Sequence, residues 1–474
     1  YSYDYKEKQL SYLFFIGFIL LMLLIDKKKY IKTIMTLYIV LVALGMAGYE
    51  ALNEKFVSRD MLNKIFDKNI EKEINDVIDS DTSFYRSNNL MYPTKTVNKI
   101  YNQRYYTTAI YSSTYNKNYL KFLRDTFKTS MLEYNYFLVP ASNNILFNTF
   151  MGVKYSFSDY DLGIGYTKIN NNTYLNKEAF PIIYASNNLL NIKEFSNYSY
   201  PYQTELLLKN VIVEDDSYNK NSTTINKENI TYQITLNDGV VIEKDKNNDY
   251  VLKVEDKGHL KVVLDKELNN KFLFININGL KENRCGIADN ISMTINNVEN
   301  ILTCKTWPYP NKNNNFKFVI SDKNINTLNI ELTKGTYNIK DIEMYTLDYD
   351  NIKGRKKDLT NFNLTSFDND TIKGTINITE DNSYLVTSIP YDKGYTIKVD
   401  DAVVKYKNIN KGFIGLPISK GNHNVEISYK APYLNVGISL SIVGFLTFVV
   451  IIVIDKKQNK QHIFNTKKIN NITN

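Results

Sequence analysis

The apolar stretch at residues 436–454, VGISLSIVGFLTFVVIIVI, decides the architecture of this chain. Its 19 residues suit a helix that crosses the roughly 30 Å hydrocarbon core of a bilayer. Two runs of 16 residues, Leu10–Ile25 and Ile34–Tyr49, lie near the N-terminus. They are long enough for short spans, although buried core helices of that length also occur. The sequence predicts a membrane protein with three transmembrane helices.

The charges that flank these runs predict the topology. Residues 26–32 carry four lysines and the tail at 455–474 is also basic, so the positive-inside bias assigns both to the cytoplasm. Residues 50–433 are then extracytoplasmic, and the chain is a multi-pass protein of the plasma membrane with a cytoplasmic C-terminus. Because the chain opens on Tyr1 rather than Met and its first span must run inward, we expect it to be the C-terminal part of a longer polytopic protein.

Composition limits the partners and cofactors. The net charge of +8 follows the two cytoplasmic segments, and no basic block elsewhere resembles a nucleic-acid footprint, so no nucleic-acid partner is expected. The histidines, His259, His423 and His462, are too widely spaced for a metal motif, and no metal or other cofactor is implied. Cys285 and Cys304 both lie in the outer region, where a disulfide and two buried thiols remain open alternatives.

Hydrophobic periodicity divides the outer region into three parts. Residues 50–205 carry helical patterns at Met61–Ile78 and Asn118–Met131 and an apolar strand pattern at Phe150–Phe157, which predicts an α+β domain. Residues 206–350 change to a period of two and predict a jelly-roll-like β-sandwich. Its predicted strands are Tyr232–Leu236, Tyr250–Val254, Leu260–Leu264, Phe272–Ile277, Ile291–Ile295, Phe316–Ile320, Thr327–Leu332 and Lys340–Tyr345.

The third part, residues 351–432, predicts a small β module next to the membrane, because Pro432 ends its last strand just before the helix at 433–454. Glycines at Asp392-Lys393-Gly394 and Lys420-Gly421 mark two of its turns. Its predicted strands are Thr371–Ile378, Ser383–Ser388, Thr396–Val399, Gly412–Leu416 and Asn424–Tyr429.

The residues themselves nominate no catalytic site. The widely spaced histidines argue against a Ser–His or Cys–His nucleophile. Acidic pairs such as Asp215-Asp216 are typical of solvated turns, and no phosphate-binding loop occurs. The single tryptophan, Trp307, would be able to stack on a sugar ring, although an aromatic residue at a loop edge is the commoner interpretation. Physical argument alone predicts an anchored extracytoplasmic binding or assembly domain.

Ordered short motifs add a family resemblance. The last module contains Ser388-Ile389-Pro390-Tyr391-Asp392-Lys393-Gly394-Tyr395, Val399-Asp400-Asp401, Gly412-Phe413-Ile414-Gly415-Leu416-Pro417, Lys420-Gly421-Asn422-His423-Asn424-Val425 and Tyr429. Earlier segments are Phe84-Tyr85-Arg86, Tyr111-Ser112-Ser113, Met151-Gly152-Val153-Lys154-Tyr155, Pro181-Ile182-Ile183-Tyr184-Ala185-Ser186-Asn187 and Pro201-Tyr202-Gln203-Thr204-Glu205. Together they resemble the YfhO family of bacterial membrane proteins across essentially the whole chain. Two departures are Tyr395, where the family typically has Trp, and Asp400-Asp401, which replaces an Asp-Gly turn.

The resemblance implies a polytopic glycosyltransferase of the GT-C type. Such enzymes move a sugar from a polyprenyl-phosphate carrier to a cell-envelope polymer, such as lipoteichoic acid, on the outer face. The early helices that would carry the catalytic carboxylate are missing here, so no catalytic residue is transferred. This chain would supply the acceptor-side outer domain, with the lipid bilayer, the lipid-linked sugar and the glycopolymer as partners.

Basic and aromatic residues near the entry to the outer domain are the candidate polymer contacts, because arginine binds phosphate with paired hydrogen bonds. The candidates are Arg59, Arg86, Arg104, Tyr105 and Tyr106, with Trp307 as a further sugar contact. A different class of function remains open, a noncatalytic membrane-anchored module for glycan binding or envelope assembly.

Overall fold

The computed structural model describes residues 15–17, 19, 31–53, 58–66, 68–91, 97–100, 102, 104–130, 138–215, 222–282, 290–307, 310–368 and 370–470. It separates into two compact units, residues 1–66 and residues 67–474. Each unit is described by itself.

The first unit is helical where it is described. Helix α1 is Ile31–Asn53 and helix α2 is Arg59–Ile65. Within α1, Thr33–Gly48 is an apolar stretch shorter than a typical span. The first predicted span, Leu10–Ile25, lies mostly outside the described residues.

The second unit opens with an α+β part. Helix α3 (Lys68–Ser80) forms because Ile70, Ile74, Val77 and Ile78 recur on one face and bury it. The further helices are α4 (Lys117–Lys121), which continues as a π-helix over Phe122–Phe127, α5 (Ile145–Phe150), α6 (Ile192–Ser196) and α7 (Tyr202–Lys209). The strands are β1 (Arg86–Asn89), β2 (Ile110–Tyr111), β3 (Leu138–Val139), β4 (Val153–Phe157), β5 (Tyr166–Lys168), β6 (Thr173–Asn176), β7 (Ile183–Ser186), β8 (Leu189–Asn191) and β9 (Val211–Val213).

Both predicted helices in this part exist, but each is interrupted. The predicted helix Met61–Ile78 is two helices, α2 and α3. The predicted helix Asn118–Met131 changes to π geometry at Phe122 and ends at Lys128, which has a left-handed φ of 53°. In the π-helix, Phe122 and Phe127 are fully buried and the Phe122 ring meets Phe413 at 4.7 Å. A π segment sets these rings into the core, at the expense of regular helix geometry.

Two antiparallel sheets then pack face to face as a β-sandwich. Its strands are β10 (Asn226–Glu228), β11 (Tyr232–Lys244), β12 (Tyr250–Asn269), β13 (Lys271–Asn278), β14 (Ile291–Ile295), β15 (Val298–Leu302), β16 (Asn315–Ile320), β17 (Asn324–Ile339) and β18 (Asp341–Asp348). The sheet orders are β10-β18-β13-β16 and β11-β12-β17-β14-β15, and one shared core includes Phe316, Phe318 and Tyr337. The sandwich prediction is confirmed at this level, and the jelly-roll arrangement stays a prediction.

Strand β12 joins two segments that the sequence predicts as separate strands. The two predicted strands Tyr250–Val254 and Leu260–Leu264 are parts of the single strand β12. The polar residues between them stay in the strand because the pairing with β17 absorbs a bulge between Val254 and Lys257.

The last part shares a sheet with the first. Its strands are β19 (Thr360–Asn361), β20 (Asn363–Asp368), β21 (Thr371–Ile378), β22 (Ser383–Pro390), β23 (Tyr395–Val399), β24 (Ala402–Val404), β25 (Lys407–Ile409), β26 (Phe413–Ile418) and β27 (Gly421–Tyr429). Strand β7 of the α+β part lies inside the sheet β19-β7-β22-β26-β25, which packs on the sheet β20-β21-β27-β23-β24. The presence of β7 in this sheet does not test the predicted domain boundaries at 205 and 350, which stay predictions.

The Asp400-Asp401 turn forms a hairpin without its glycine. Asp400 and Asp401 both have positive φ, 51° and 64°, and they join β23 to β24. The Asp400 carboxylate accepts hydrogen bonds from the Asn424 N–H at 2.9 Å and from His423 Nδ1 at 2.7 Å. These contacts hold the turn where a glycine would otherwise relieve the backbone.

Helix α8 (Leu434–Asn470) follows β27 after a short link, residues 430–433. Its segment Leu434–Gln458 is long and apolar enough to cross a membrane, and its most apolar window of 18 residues has a mean hydropathy of 2.7. Among the described residues it is the one helix that meets both conditions. The helix continues through the basic tail predicted at 455–474, as far as Asn470.

Candidate functional site

The hydrogen bonds of Arg86 join three segments that are far apart in the sequence, one of which contains Arg86 itself. Its Nη1 donates to the Met151 carbonyl at 2.5 Å and to Ser388 Oγ at 2.6 Å, and its Nη2 donates to the Ser388 carbonyl at 3.0 Å. The segments are Phe84-Tyr85-Arg86, Met151-Gly152-Val153-Lys154-Tyr155 and the stretch that begins at Ser388. Several of the short motifs seen in the sequence therefore meet at one guanidinium group.

A cavity of about 430 Å³ opens beside this guanidinium. Its walls combine Arg86 and Asp370 with a set of aromatic rings, Phe84, Tyr106, Phe367, Tyr395 and Tyr429. The rings contact one another. The centre of the Tyr106 ring lies 5.5 Å from that of Phe84 and 5.2 Å from that of Phe367, and the ring centres of Tyr395 and Tyr429 are 4.7 Å apart. We call this the Arg86 cavity.

The charges in the Arg86 cavity are unusual because the cation has no acidic partner. All the hydrogen bonds that Arg86 donates go to neutral acceptors, and no carboxylate of the described residues lies within 4.0 Å of it. Burial lowers the pKa of Arg86 to about 10, so the group remains charged at neutral pH. Burial also raises the pKa of Tyr395 to about 12, which keeps its hydroxyl neutral. A desolvated cation without an anion favours an anionic ligand.

A smaller cavity of about 120 Å³ lies next to the first one. Phe84, Tyr106 and Phe367 line both cavities, and Arg104 lines only the smaller one. Arg104 pairs with Asp79 at 2.6 Å, and both side chains are largely exposed to solvent. Of the residues predicted from sequence, the structure brings Arg86, Arg104 and Tyr106 together.

The other predicted contacts are placed elsewhere. Arg59 lies exposed on α2 in the first unit. Tyr105 packs at the edge of the α3 core, and burial raises its pKa to about 12. Trp307, 37% exposed, lies in a turn after β15 and is not among the residues that line the Arg86 cavity. Cys304 is buried, whereas Cys285 lies outside the described residues, so a disulfide between them stays a prediction.

Sequence reasoning missed Phe367, which lies near the end of β20, and Asp370, which lies in the turn that follows it. Neither belongs to a motif, and the register of β20 with β21 is what brings them to the cavity. Tyr395 and Tyr429 did carry a signal, since both fall within the motifs of the last module. Tyr395 stands where the family typically has Trp, and either ring would keep that wall aromatic.

An arrangement that resembles a catalytic triad is also present, at Ser419, His423 and Asp400. His423 Nδ1 lies 2.7 Å from Asp400 Oδ2, but its Nε2 lies 2.9 Å from the Ser419 carbonyl oxygen and only 3.4 Å from Ser419 Oγ. Nε2 therefore lies closer to the carbonyl oxygen than to the hydroxyl group and is not placed to take the serine proton. The group holds a turn. Within the described residues no three His, Cys, Asp or Glu side chains gather as metal ligands.

Asp81 ties α3 to β4 on the wall of the smaller cavity. Its carboxylate accepts hydrogen bonds from Lys154 Nζ, from Tyr155 Oη at 2.8 Å and from Ser83 Oγ at 2.6 Å. Burial alone would raise the pKa of Asp81, but these hydrogen bonds outweigh burial and lower its pKa to about 2.

Replacing Asp81 with asparagine is expected to lower the free energy of unfolding by about 2 kcal/mol at pH 7. The folded pKa is below the unfolded one, so the stabilisation is complete above about pH 4 and is lost as pH falls through 2. Urea unfolding of the wild type and Asp81→Asn at pH 7 and pH 2 measures the difference. An equal difference at both pH values would contradict this assignment. Asp79→Asn is the control, because its exposed pair should contribute less than about 1 kcal/mol.

Comparison with known proteins gives the family. The family profile described as bacterial membrane protein YfhO matches residues 2–441. A Bacillus subtilis protein described as uncharacterized protein YfhO is 28% identical over 126 residues, which cover 25% of this chain and 14% of that protein. The matched segment is therefore a small part of the relative's own length.

Solved structures show weaker likeness. A conserved protein of unknown function from Pseudomonas aeruginosa is 7% identical, with 42% of this chain and 92% of that chain covered and a TM-score of 0.13. HutD from Pseudomonas fluorescens is also 7% identical, with coverage of 42% and 94% and a TM-score of 0.12. Neither likeness supports a functional argument. The profile match over nearly the whole chain, together with the motifs that meet at Arg86, shows that the chain belongs to the YfhO family of bacterial membrane proteins.

Proposed function

We propose that this chain is the extracytoplasmic, acceptor-side part of a membrane glycosyltransferase and that the Arg86 cavity holds a segment of a phosphate-bearing envelope glycopolymer. The observation that carries the proposal is a charged guanidinium without an acidic partner among the described residues, beside a wall of aromatic rings. Aromatic faces pack on apolar ring surfaces, arginine binds phosphate, and Asp370 offers an acceptor for hydroxyl groups.

The position of the cavity in the chain suits work at the membrane surface. Tyr429 lines the cavity, and the short link at 430–433 leads directly into α8. In the proposed topology residues 50–433 lie outside the cytoplasm, in a multi-pass protein of the plasma membrane. The donor would be a polyprenyl-phosphate sugar, and lipoteichoic acid is the acceptor that the family resemblance suggests. The residues of this chain would bind and orient the acceptor.

A binding measurement tests this proposal with aromatic variants that leave the hydrogen bonds of Arg86 intact. Full-length protein in a polyoxyethylene detergent, which contains neither sugar nor phosphate, is titrated calorimetrically with glycosylated glycerol-phosphate oligomers. Phe367→Leu and Tyr106→Leu should each weaken binding about five-fold, because each removes a ring face worth about 1 kcal/mol. Tyr250→Leu, at an exposed ring of the sandwich, is the matched control. Unchanged affinity in both cavity variants would refute the proposal.

A noncatalytic glycan-binding module is the second candidate, and one observation favours it. Among the described residues that line the Arg86 cavity, aromatic and aliphatic side chains predominate, which suits the binding of a sugar ring. The two functions can be distinguished in the native bacterium by measuring the sugar content of the envelope polymer with NMR. Phe367→Leu should lower that content if the chain serves a transferase, and should leave it unchanged if the chain is only a binding module.

A further inference from the structure

A second basic site lies where the α+β part meets the sandwich. A cleft of about 170 Å³ opens between the end of the π-helix and the loop that leads into β16. Arg124, Lys128, Lys312 and Lys317 line it together with asparagine side chains. We call it the basic cleft. None of its lining residues lines the Arg86 cavity, and it plays no part in the function proposed above.

The lysines of the basic cleft are not neutralised from within the described chain. None of the ion pairs among the described residues includes Lys128, Lys312 or Lys317. Lys317 Nζ donates instead to the Asn278 amide oxygen at 3.0 Å, and the Asn278 amide nitrogen in turn donates to Asp341 at 2.7 Å. Asp341 thus reaches Lys317 only through the Asn278 amide.

The charged form of Lys317 is destabilised in this position. Burial, followed by the nearby charge of Lys128, lowers its pKa to about 8, and Glu343 and Asp341 offset this only in part. Its Nζ also lies 5.9 Å from the centre of the Tyr200 ring. Like charges gathered in a partly desolvated cleft repel each other, and an anion bound between them would remove that repulsion.

Two of the lysines that line the cleft also have an unusual backbone conformation. Lys128 has φ 53° and Lys312 has φ 52°, both in the left-handed region, which residues other than glycine rarely adopt. The floor between them is fixed by amides, since Asn313 Nδ2 donates to Asn300 Oδ1 at 3.2 Å and Asn300 Nδ2 donates to the Lys317 carbonyl at 2.9 Å. Strain of this kind concentrates at functional sites.

We propose that the basic cleft binds a phosphate group, with Lys128, Lys312 and Lys317 as its ligands. The three lysines come from two parts of the fold, and each ammonium group carries N–H donors that suit the oxygens of phosphate. A cleft of this volume takes one such group, either a free phosphate ion or one phosphodiester of a polymer. The assignment stands on the cleft alone and does not require sugar transfer.

Calorimetric titration of the full-length protein in the same polyoxyethylene detergent tests the proposal, with inorganic phosphate and glycerol-phosphate oligomers as separate probes. Lys317→Met should weaken binding of the preferred probe about ten-fold or more, because it removes a charge-assisted contact. Lys128→Gly should do the same while relaxing its backbone, so loss of folding cannot explain that result. Lys411→Gly is the matched control, since Lys411 also has a left-handed φ, 61°, and does not line the cleft.

Tighter binding of the oligomer would identify a polymer phosphodiester as the ligand, and tighter binding of inorganic phosphate would identify the free ion. Either result supports the site if Lys411→Gly binds as the wild type does. The proposal is overturned if neither probe binds at millimolar concentration, or if Lys317→Met and Lys128→Gly both keep wild-type affinity. Phe367→Leu should leave phosphate binding at the basic cleft unchanged. A failure of this proposal can therefore be distinguished from a failure of the proposal for the Arg86 cavity.

Discussion

Replacing Glu205 with alanine is expected to lower the free energy of unfolding by about 3–5 kcal/mol, the usual effect of breaking a buried ion pair. Glu205 is fully buried on α7. Its carboxylate accepts hydrogen bonds from Lys209 Nζ, from the Thr224 N–H at 2.7 Å and from the Ile225 N–H at 3.2 Å. The alanine variant leaves an almost fully buried lysine without an anion and two N–H groups without an acceptor, just before the first strand of the sandwich.

Urea unfolding followed by the fluorescence of Trp307, the single tryptophan, measures this effect in the sandwich. The double variant Glu205→Leu/Lys209→Met should recover part of the loss, because an apolar pair of similar volume removes the stranded charge. Glu243→Ala is the control, since Glu243 and Lys253 are both about half exposed and such pairs contribute less than about 1 kcal/mol. A loss below 1 kcal/mol for Glu205→Ala would mean that the pair does not join α7 to the sandwich.

Glu205 also explains what one of the family motifs does. In Pro201-Tyr202-Gln203-Thr204-Glu205, the Gln203 side chain caps the preceding segment through the Tyr198 carbonyl at 2.7 Å, and Glu205 receives the incoming sandwich strand. The motif therefore joins two parts of the fold. Met151-Gly152-Val153-Lys154-Tyr155 acts in the same way, since Met151 accepts from Arg86 and Lys154 pairs with Asp81. The resemblance identified fold signatures, as expected from motifs without a catalytic string.

Local patterns predicted much of the β structure. Strand Thr371–Ile378 is found with its predicted bounds, and alternation along β21 matches its burial. The pattern failed where tertiary pairing overrides it, as in β12, whose polar middle is held by β17 on one side and β11 on the other. Helix boundaries failed at Phe122 because the π geometry depends on ring packing against Phe413, which lies far along the chain.

The sites show the same limit more sharply. Arg86 was a candidate from its charge and its neighbours, but its bond to Ser388 spans 302 positions of sequence, and no local pattern predicts that. Asp370 looks like an ordinary turn acid until β20 and β21 bring it to the cavity. Lys128 and Lys317 belong to different parts of the fold and share one cleft only because the π-helix ends at the sandwich. The charge of a side chain can be read from the sequence, whereas whether that side chain has an acidic partner depends on how the chain packs.

Replacing Gly163 with alanine is expected to lower the free energy of unfolding by about 3 kcal/mol. Gly163 has φ +79°, and a Cβ there would lie 1.9 Å from the Ser321 carbonyl oxygen. That carbonyl accepts the Ile164 N–H at 2.7 Å, and Ser321 Oγ donates to the Leu162 carbonyl at 3.1 Å. The alanine variant adds a left-handed backbone cost of roughly 1–2 kcal/mol to an overpacking cost of roughly 1–3 kcal/mol.

Gly354→Ala separates these two costs. Gly354 has nearly the same φ, +83°, but a Cβ there meets nothing within 4 Å, so this variant bears the backbone cost alone and should lose roughly 1–2 kcal/mol. Urea unfolding of both variants isolates the steric contribution as their difference. If the two variants lose equal stability, the loop at Gly163 yields to the added methyl group, and the contact with Ser321 does not hold the α+β part to the sandwich. If the difference reaches about 1–3 kcal/mol, the contact is rigid, and the loop at Gly163 is held against the sandwich without room for an added methyl group.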